Sequence, residues 1–298
     1  MNGALLLYGL ISLMILLWSA NFIIAKVALR EFPPLLLGAL RISLAAVFLA
    51  PFYYRKARTA GKPLWPGAGL ALLIFLGICN VGNQLLFLIG LNRTSVSHSA
   101  LIIGIGPMFV LLIASTIGLE RITLRKAFGM VIALGGVAAL AQLTSGAEAR
   151  SSGETQATLT GDAVTSLACI LFAAFSVYGK KATERYGTIA VNGFAYITGA
   201  ALLAPVILWQ ARGFPFAHVS AAAWSSLIYM ALFPSAVCYL IYYYALTHIS
   251  ASRVSAFIYL EPVIATIMAV AFLGEQVTTP LVASGTVIFT GVYLTERG

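Results

Sequence analysis

The sequence has very little charge. Only 9% of its 298 residues are charged, whereas 60% are hydrophobic and the mean hydropathy is +0.96. A water-soluble fold needs a polar shell around its core, and so few charged residues cannot cover a chain of this length. The composition therefore excludes a soluble globular protein and indicates that lipid is the surrounding solvent.

Cysteine and histidine are also scarce, with three of each. Cys79, Cys169 and Cys238 lie inside apolar runs without the spacing of a metal site or a redox pair, so they predict neither disulfides nor a metal centre. The histidines share no ligand spacing, and no G-x-x-x-x-G-K phosphate-binding loop is present. We therefore expect no metal, no cofactor and no direct use of ATP.

The few charged residues are mostly basic, which gives a net charge of +9. Nucleic acid is one class of partner for a basic protein, but the Lys and Arg residues form short clusters between apolar runs. That pattern is typical of a chain oriented in a membrane. We expect a lipid bilayer and no nucleic acid as partner.

Long hydrophobic runs are abundant. A helix needs about 20 apolar residues to cross the hydrocarbon core. The predicted spans are 5–27, 34–54, 67–91, 95–118, 124–143, 161–181, 188–210, 222–246, 250–273 and 279–295. The first lacks a basic segment before it and exceeds the length of a signal peptide, so we interpret it as a retained helix. The sequence predicts an all-α integral membrane protein with ten transmembrane helices.

One stretch of the sequence recurs. Shifted by 155 positions, residues 91–137 align with residues 246–292, and ten positions carry the same residue type. Proline and glutamate are uncommon here, yet Pro107 and Pro262 are each followed by a glutamate, Glu120 and Glu275, thirteen residues later. We interpret this as an internal duplication.

The duplication divides the chain. We expect a five-helix repeat over 1–147, a linker rich in Ser, Thr and Gly over 148–160, and a second five-helix repeat over 161–298. With a cytoplasmic N-terminus, that side receives twelve Lys and Arg and the other side five, so both termini are predicted to be cytoplasmic. Because five is an odd number, the second repeat enters the membrane in the opposite sense, as a 5+5 inverted repeat.

Polar and aromatic side chains recur on one face of the third and eighth predicted helices. On the third helix this face carries Asn80, Asn83, Gln84 and Phe87. The shift of 155 places Ser235, Cys238, Tyr239 and Tyr242 at the same positions of the eighth helix. Two inverted halves that exchange conformations provide alternating access, so we expect these faces to line a central cavity. Hydrogen bonding between neighbouring helices is the alternative.

Other candidates for the cavity lie on the first and sixth predicted helices. They are Trp18 and Asn21 on the first, and Phe172, Phe175 and Ser176 on the sixth. Trp18 and Phe172 fall deep inside their spans, unlike the aromatic residues of the membrane interface. An aromatic wall and packing against lipid are both open for these rings.

Two prolines interrupt apolar spans. Pro107 follows Gly106, and Pro262 follows Glu261. A proline inside a helix leaves one carbonyl without its donor and opens a kink. Each of these sites is therefore a candidate hinge or a fixed kink.

Arg41 and Glu261 are the two unambiguous charges inside the predicted spans, because the other charged residues lie near span ends. Such residues are costly in lipid and mark functional sites by default. Arg41 lies about two turns from the outer end of its span, from where its side chain could reach the interface. Glu261 lies near the middle of its span, where it could carry a proton, hold a substrate amine or cap the backbone at Pro262.

Several of these segments resemble the EamA family of the drug/metabolite transporter superfamily. They are Leu-Trp-Ser-Ala-Asn-Phe at 17–22, the spacing from Pro107 to Glu120, and Leu-Glu-Pro at 260–262 followed by Leu-Gly-Glu at 273–275. The resemblance covers essentially the whole chain and implies ten helices, a 5+5 inverted repeat and secondary transport, usually export across the bacterial inner membrane. Among members of the superfamily, the amino-acid exporters, including those for aromatic amino acids, are most similar. Gly106 stands where the second repeat has Glu261, so a symmetric pair of carboxylates is not expected.

The sequence thus favours an exporter of neutral amino acids or related small metabolites. A phosphorylated substrate would need several inward Lys or Arg, and only Arg41 is available. Efflux of hydrophobic cations is an alternative for which Glu261 and the aromatic residues would serve. An intramembrane enzyme is a third, but we expect none, because Glu261 has no catalytic partner. The oligomeric state is open, and a monomer is compatible with these features.

Overall fold

The computed structural model describes residues 3–59, 69–119, 121–144, 158–249, 254, 257–258 and 260–296, and all regular elements in these ranges are helices. The first half contains α1 (Gly3–Leu29), α2 (Pro34–Thr59), α3 (Leu70–Leu91), α4 (Val96–Ile103), α5 (Gly106–Thr116) and α6 (Leu124–Thr144). The second half contains α7 (Leu159–Tyr186), α8 (Thr188–Ala211), α9 (Ala221–Met230), a π-helical segment (Ala231–Val237), α10 (Cys238–His248), α11 (Leu260–Leu273) and α12 (Thr279–Glu296).

The helices confirm the predicted all-α class. Seven segments of the described residues are long and apolar enough to cross a membrane. They are 5–29, 34–56, 70–91, 96–116, 159–186, 188–211 and 221–248. Each of the ten predicted spans overlaps a helix, but ten membrane crossings and their 5+5 arrangement stay predictions. Glu120 and the linker up to residue 157 lie outside the described residues.

The fourth predicted span is divided into α4 and α5, with turns at Gly104 and Ile105 between them. Pro107 is the second residue of α5. Its missing N–H costs nothing there, because α5 contains no residue four positions earlier whose carbonyl could accept the bond. A Cβ added at Gly104 would lie 2.9 Å from the Cγ of Pro262. The two prolines of the repeat therefore lie close to the same crossing of α4 and α11.

The eighth predicted span contains the π-helical segment, which the sequence analysis did not predict. Pro234 lies inside this segment and cannot donate the backbone hydrogen bond of a regular α-helix. The Ser235 hydroxyl donates to the carbonyl of Met230, five residues earlier, at 2.8 Å. Such segments are rare and occur frequently at functional sites.

The helices of the two halves contact each other in a symmetric pattern. Two contacts join equivalent helices: α2 with α8, and α6 with α12. The other contacts come in pairs that the exchange converts into each other. α3 packs against α7, and their equivalents α9 and α10 pack against α1. Likewise α5 packs against α7, and its equivalent α11 packs against α1. Exchanging the halves leaves this set of contacts unchanged.

The contact between α6 and α12 depends on glycine. A Cβ added at Gly129 would lie 2.5 Å from the carbonyl oxygen of Gly291, and one added at Gly291 would lie 2.4 Å from the backbone nitrogen of Ala133. Small residues allow helix backbones to approach closely in lipid, where packing rather than the hydrophobic effect drives association. Gly291 is the repeat equivalent of Gly136, which also lies in this contact, against Ile288.

Candidate functional site

A cavity lies between helices of both halves. Counted with the open space at its mouth, it holds about 650 Å³ between atoms. Its lining consists of Trp18, Asn21, Phe22, Arg41, Asn83, Gln84, Phe87, Ile103, Gly106, Pro107, Cys169, Phe172, Tyr239, Ile258 and Glu261. Among the described residues, the lining is mostly aromatic and amide, with one basic and one acidic side chain.

The structure brings most of the predicted site residues to this cavity. Those that line it are Trp18, Asn21, Arg41, Asn83, Gln84, Phe87, Gly106, Pro107, Tyr239 and Glu261, together with the aromatic candidate Phe172. Those that do not line it are Asn80, Phe175, Ser176, Ser235, Tyr242 and Pro262. Four lining residues, Phe22, Ile103, Cys169 and Ile258, were not predicted, because apolar residues in an apolar span give no signal of their own.

The two faces predicted from the repeat, on α3 and on the segment from Ser235 to Tyr242, do meet. The Asn83 side-chain amide donates to the Tyr239 hydroxyl at 2.7 Å. The Ser235 hydroxyl lies 2.9 Å from Gln84 Oε1, which is an alternative to the Met230 carbonyl as acceptor of its proton. Cavity lining and hydrogen bonding between helices were alternatives in the sequence, and Asn83 and Gln84 do both.

Gln84 is the centre of this polar network. Its Nε2 donates to Asn80 Oδ1 and to the Tyr196 hydroxyl, both at 3.0 Å. Tyr196 in turn donates to the carbonyl of Ser235 at 2.6 Å. Tyr196 was not predicted, because it is a single tyrosine on α8 without a polar pattern around it. The network joins α2, α3, α8 and the π-helical segment through buried side chains.

Arg41 is buried beside the cavity, with only 3% of its surface exposed. Its Nε donates to the Ser235 hydroxyl at 2.6 Å, whereas its Nη1 is buried without a partner. In the described part of the chain, no Asp or Glu oxygen lies within 4.0 Å of the guanidinium. The cavity, and not the membrane interface, therefore surrounds this charge.

Glu261 is equally buried, at 4% exposed, in the first turn of α11. Its Oε1 has no hydrogen-bond partner, and no Lys, Arg or His nitrogen among the described residues lies within 4.0 Å of the carboxyl group. Asn21, 5% exposed, also has its Oδ1 buried without a partner. Glu261 and Asn21 thus contribute two unpaired acceptors to the lining.

Aromatic rings form one wall of the cavity. The Trp18 ring lies 6.0 Å from Phe172 and 5.6 Å from Tyr239, centroid to centroid, in edge-to-face arrangements. Its Nε1 donates to the carbonyl of Pro234 at 3.0 Å, which is a carbonyl of the π-helical segment. Phe22 and Phe87 form a further edge-to-face pair at 5.3 Å. The wall offers ring faces and edges to a flat or apolar group.

The predicted residues outside the lining support it from behind. Tyr242 packs against Trp18 and Phe172, and Phe175 packs against Tyr239. The Ser176 hydroxyl donates to the carbonyl of Phe172 at 2.7 Å. They hold the wall in place without touching the cavity, because each lies on the far side of a helix or ring.

Glu275 connects the end of α11 to the start of α4. Its carboxylate accepts hydrogen bonds from the backbone nitrogens of Val96 and Ser97 at 2.7 and 3.1 Å, and from the Ser97 hydroxyl at 2.6 Å. Gly274 before it has φ of 71°, a conformation that glycine adopts without strain. A carboxylate at a helix N-terminus satisfies free N–H groups and interacts well with the helix dipole.

The sequence matches a known family over most of its length. The model of the EamA-like transporter family matches residues 5–142 and again residues 159–297. An uncharacterized transporter of Archaeoglobus fulgidus is 26% identical over 287 residues, which are 96% of each chain. A probable terminal-alkyne amino-acid exporter of Streptantibioticus cattleyicolor is 26% identical over 96% of this chain and 91% of its own.

Two further similarities concern the membrane and the fold. An uncharacterized inner membrane transporter of Escherichia coli strain K12 is 24% identical over 97% of this chain and 90% of its own. A solved structure, described only as the crystal structure of a protein, aligns with a TM-score of 0.65 and 18% identity over 96% of this chain and 94% of that chain, which shows a shared fold. With its apolar helices, the protein is a multi-pass membrane protein, and it belongs to the EamA-like transporter family.

Proposed function

We propose that the protein is a secondary transporter that exports neutral amino acids, or closely related small metabolites, by alternating access. The observation that carries this proposal is the cavity, which both halves line with aromatic rings, amides and one charge of each sign. Arg41 is the single basic residue in the described part of the lining, so a phosphorylated substrate would find one cation there where it needs several. The exporter of Streptantibioticus cattleyicolor, named for an amino acid, adds support.

The proposed mechanism needs two halves of opposite orientation. We propose repeats over 1–147 and 161–298 with ten crossings, and both termini on the cytoplasmic side of a bacterial inner membrane. The contacts that survive exchange of the halves support this arrangement, as do the two separate matches to the family model. An inverted repeat lets the halves exchange conformations, which opens the cavity to each side of the membrane in turn.

The place where the chain bends in this cycle is part of the proposal. Gly106 and Pro107 line the cavity just after the turns that separate α4 from α5, and Pro262 lies against Gly104. A crossing without continuous helical hydrogen bonds absorbs changes of backbone angle more easily than a regular helix does. We assign the hinge to this crossing of α4 and α11.

Efflux of hydrophobic cations is the second candidate. Glu261 and the aromatic wall favour it, since both attract an organic cation in a buried site. Arg41 opposes it, because a buried guanidinium with no carboxylate of the described residues within 4.0 Å repels a second positive charge. The cavity therefore fits a zwitterion better than a cation.

Counterflow in liposomes tests the proposed function. Liposomes with purified protein are loaded with unlabelled amino acids, and labelled phenylalanine, threonine or methionine is added outside in separate runs. We expect protein-dependent accumulation of label, strongest for phenylalanine because of the aromatic wall. Folded protein that accumulates none of the three, but accumulates a labelled hydrophobic cation, would replace this proposal by the second candidate.

A further inference from the structure

The lining contains two opposite charges that do not pair with each other. Arg41 and Glu261 are both buried and both line the cavity, yet no oxygen of Glu261 lies within 4.0 Å of a nitrogen of Arg41. Removal of an ion from water is costly even after the protein relaxes. Neither side chain recovers that cost from the other.

Several other polar atoms of the lining already have partners. Asn83 bonds to Tyr239, Gln84 uses its nitrogen and its oxygen within the network, and Trp18 bonds to Pro234. Three buried side-chain atoms of the lining lack a partner within the described residues: Arg41 Nη1, Asn21 Oδ1 and Glu261 Oε1. They are one charged donor and two acceptors, one of the acceptors on an acid.

We infer that Arg41 binds the carboxylate of a zwitterionic substrate, that Glu261 and Asn21 bind its ammonium group, and that the substrate side chain contacts the aromatic wall. This assignment rests on the proposed function and names the subsites within it. A carboxylate supplies acceptors for the guanidinium, and an ammonium supplies three donors for the two free oxygens. An α-amino acid carries both groups on one carbon, so a single ligand neutralises both ends of the site.

Ser235 fixes the orientation of the Arg41 guanidinium. The bond from Nε to the Ser235 hydroxyl holds one edge of the guanidinium against the π-helical segment, which leaves Nη1 for a ligand. The same Ser235 hydroxyl also contacts Gln84 Oε1, which connects Arg41 to the polar network around Gln84. The positive end of the site is therefore preorganised, and a fixed donor loses less entropy on binding than a mobile one.

The assignment predicts how the protein discriminates among three molecules of similar shape. Phenylalanine carries both charges, phenethylamine lacks the carboxylate, and 3-phenylpropionate lacks the ammonium. Each is tested as a competitor of labelled phenylalanine in counterflow and as a ligand of purified protein by thermal shift. We expect phenylalanine to compete about tenfold to hundredfold better than either analogue, the range for losing one charge-assisted hydrogen bond.

Two variants assign the ends of the substrate. Arg41→Gln should lose the preference for phenylalanine over phenethylamine and keep its preference over 3-phenylpropionate. Glu261→Gln should do the reverse. Arg121→Gln and Glu184→Gln remove an exposed charge of each sign away from the cavity and should leave both preferences unchanged. A merely structural role of Arg41 or Glu261 would lower activity without this exchange of selectivity.

Several outcomes would overturn the assignment. If the wild-type protein accepts phenethylamine or 3-phenylpropionate as well as phenylalanine, the subsites are wrong even if neither variant folds. If folded Glu261→Gln keeps its selectivity and loses only a pH dependence of transport, Glu261 carries a proton and does not bind the ammonium. In both cases transport of phenylalanine would still support the proposed function, whereas wild-type protein that moves no amino acid would contradict that function itself.

Discussion

The helix α3 and the segment from α9 to α10 are equivalents in the repeat, yet they serve the cavity differently. α3 is a regular helix that contributes side-chain amides, Asn83 and Gln84. Its equivalent contains the π-helical segment, whose backbone carbonyls at Pro234 and Ser235 accept bonds from Trp18 and Tyr196. The duplicated helices have become complementary, because amide donors and acceptors on one half need partners on the other.

The second difference between the halves is charge. Gly106 of the first half and Glu261 of the second half are equivalent positions, and both line the cavity. A symmetric pair of carboxylates would repel each other and leave no partner for an anionic group. The asymmetry gives the cavity a negative end beside α11 and leaves Arg41 on α2 as its positive end.

Loss of the Gln84 amide should have the largest effect on the stability of these contacts between the halves. Gln84→Leu removes three hydrogen bonds and leaves Asn80, Tyr196 and Ser235 with fewer partners, so we expect the free energy of unfolding to fall by about 2–4 kcal/mol. Asn83→Leu, which removes one bond to Tyr239, should cost about 1 kcal/mol. Equilibrium unfolding in detergent measures both, and equal losses for the two variants would contradict a network centred on Gln84.

The contact that Glu275 makes between the halves should come next. Glu275→Ala removes the acceptor of two backbone N–H groups and one hydroxyl at the start of α4, which we expect to cost about 1–2 kcal/mol. Hydrogen exchange at Val96 and Ser97 should become faster. The matched change Ser95→Ala removes the cap within α4 itself and should affect His98 N–H instead. Unchanged protection at Val96 in Glu275→Ala would show that the carboxylate does not hold this helix.

Substitution of Trp18 tests its bond to the Pro234 carbonyl of the π-helical segment. Trp18→Phe keeps an aromatic ring beside Phe172 and Tyr239 but loses the bond to the Pro234 carbonyl, so we expect a loss of about 1 kcal/mol in stability and a weaker affinity for phenylalanine by a few-fold. Thermal unfolding and counterflow measure the two effects. Phe172→Leu is the matched change without a hydrogen bond. If it weakens affinity as much as Trp18→Phe, ring packing and not the bond to Pro234 positions the wall.

The smallest effect is expected at the surface, where the two halves are also joined. Glu31, in the loop after α1, accepts bonds from the hydroxyl and backbone nitrogen of Ser220 at 2.5 and 2.7 Å. These bonds lower the pKa of Glu31 from its ordinary value of 4.5, and the bond from the Ser220 hydroxyl has the larger effect. A lowered pKa contributes stability above the unfolded value, and the contribution is lost as the pH falls through the folded value.

Glu31→Gln should therefore lower the melting temperature slightly at neutral pH and have no effect in acid well below pH 4.5. Thermal unfolding at a series of pH values measures the difference from wild type. Glu184→Gln, which removes another exposed acidic side chain, is the matched control. A difference that persists unchanged into acid would show that the bonds to Ser220 do not depend on the charge of Glu31.

Much of the cavity was predictable, because polar residues are rare in an apolar chain. Asn83 and Tyr239 stood out as polar groups at near-equivalent positions of the two repeats, and the structure joins them directly. Asn80 and Ser235 carried the same signal but lie behind the lining. Sequence spacing assigns a residue to a face of a helix, and only packing decides whether that face meets a cavity or another side chain.

The sequence by itself determined the solvent and the plan of the chain. Its lack of charge and its long apolar runs required a helical membrane protein, since backbone groups in lipid must be satisfied within each helix. Its repeat indicated two related halves. Tertiary structure alone decided that Glu275 caps α4, that Tyr196 completes the network and that Arg41 and Glu261 line one cavity without pairing with each other. These contacts join residues far apart along the chain, and no local pattern records distances that arise only when helices pack.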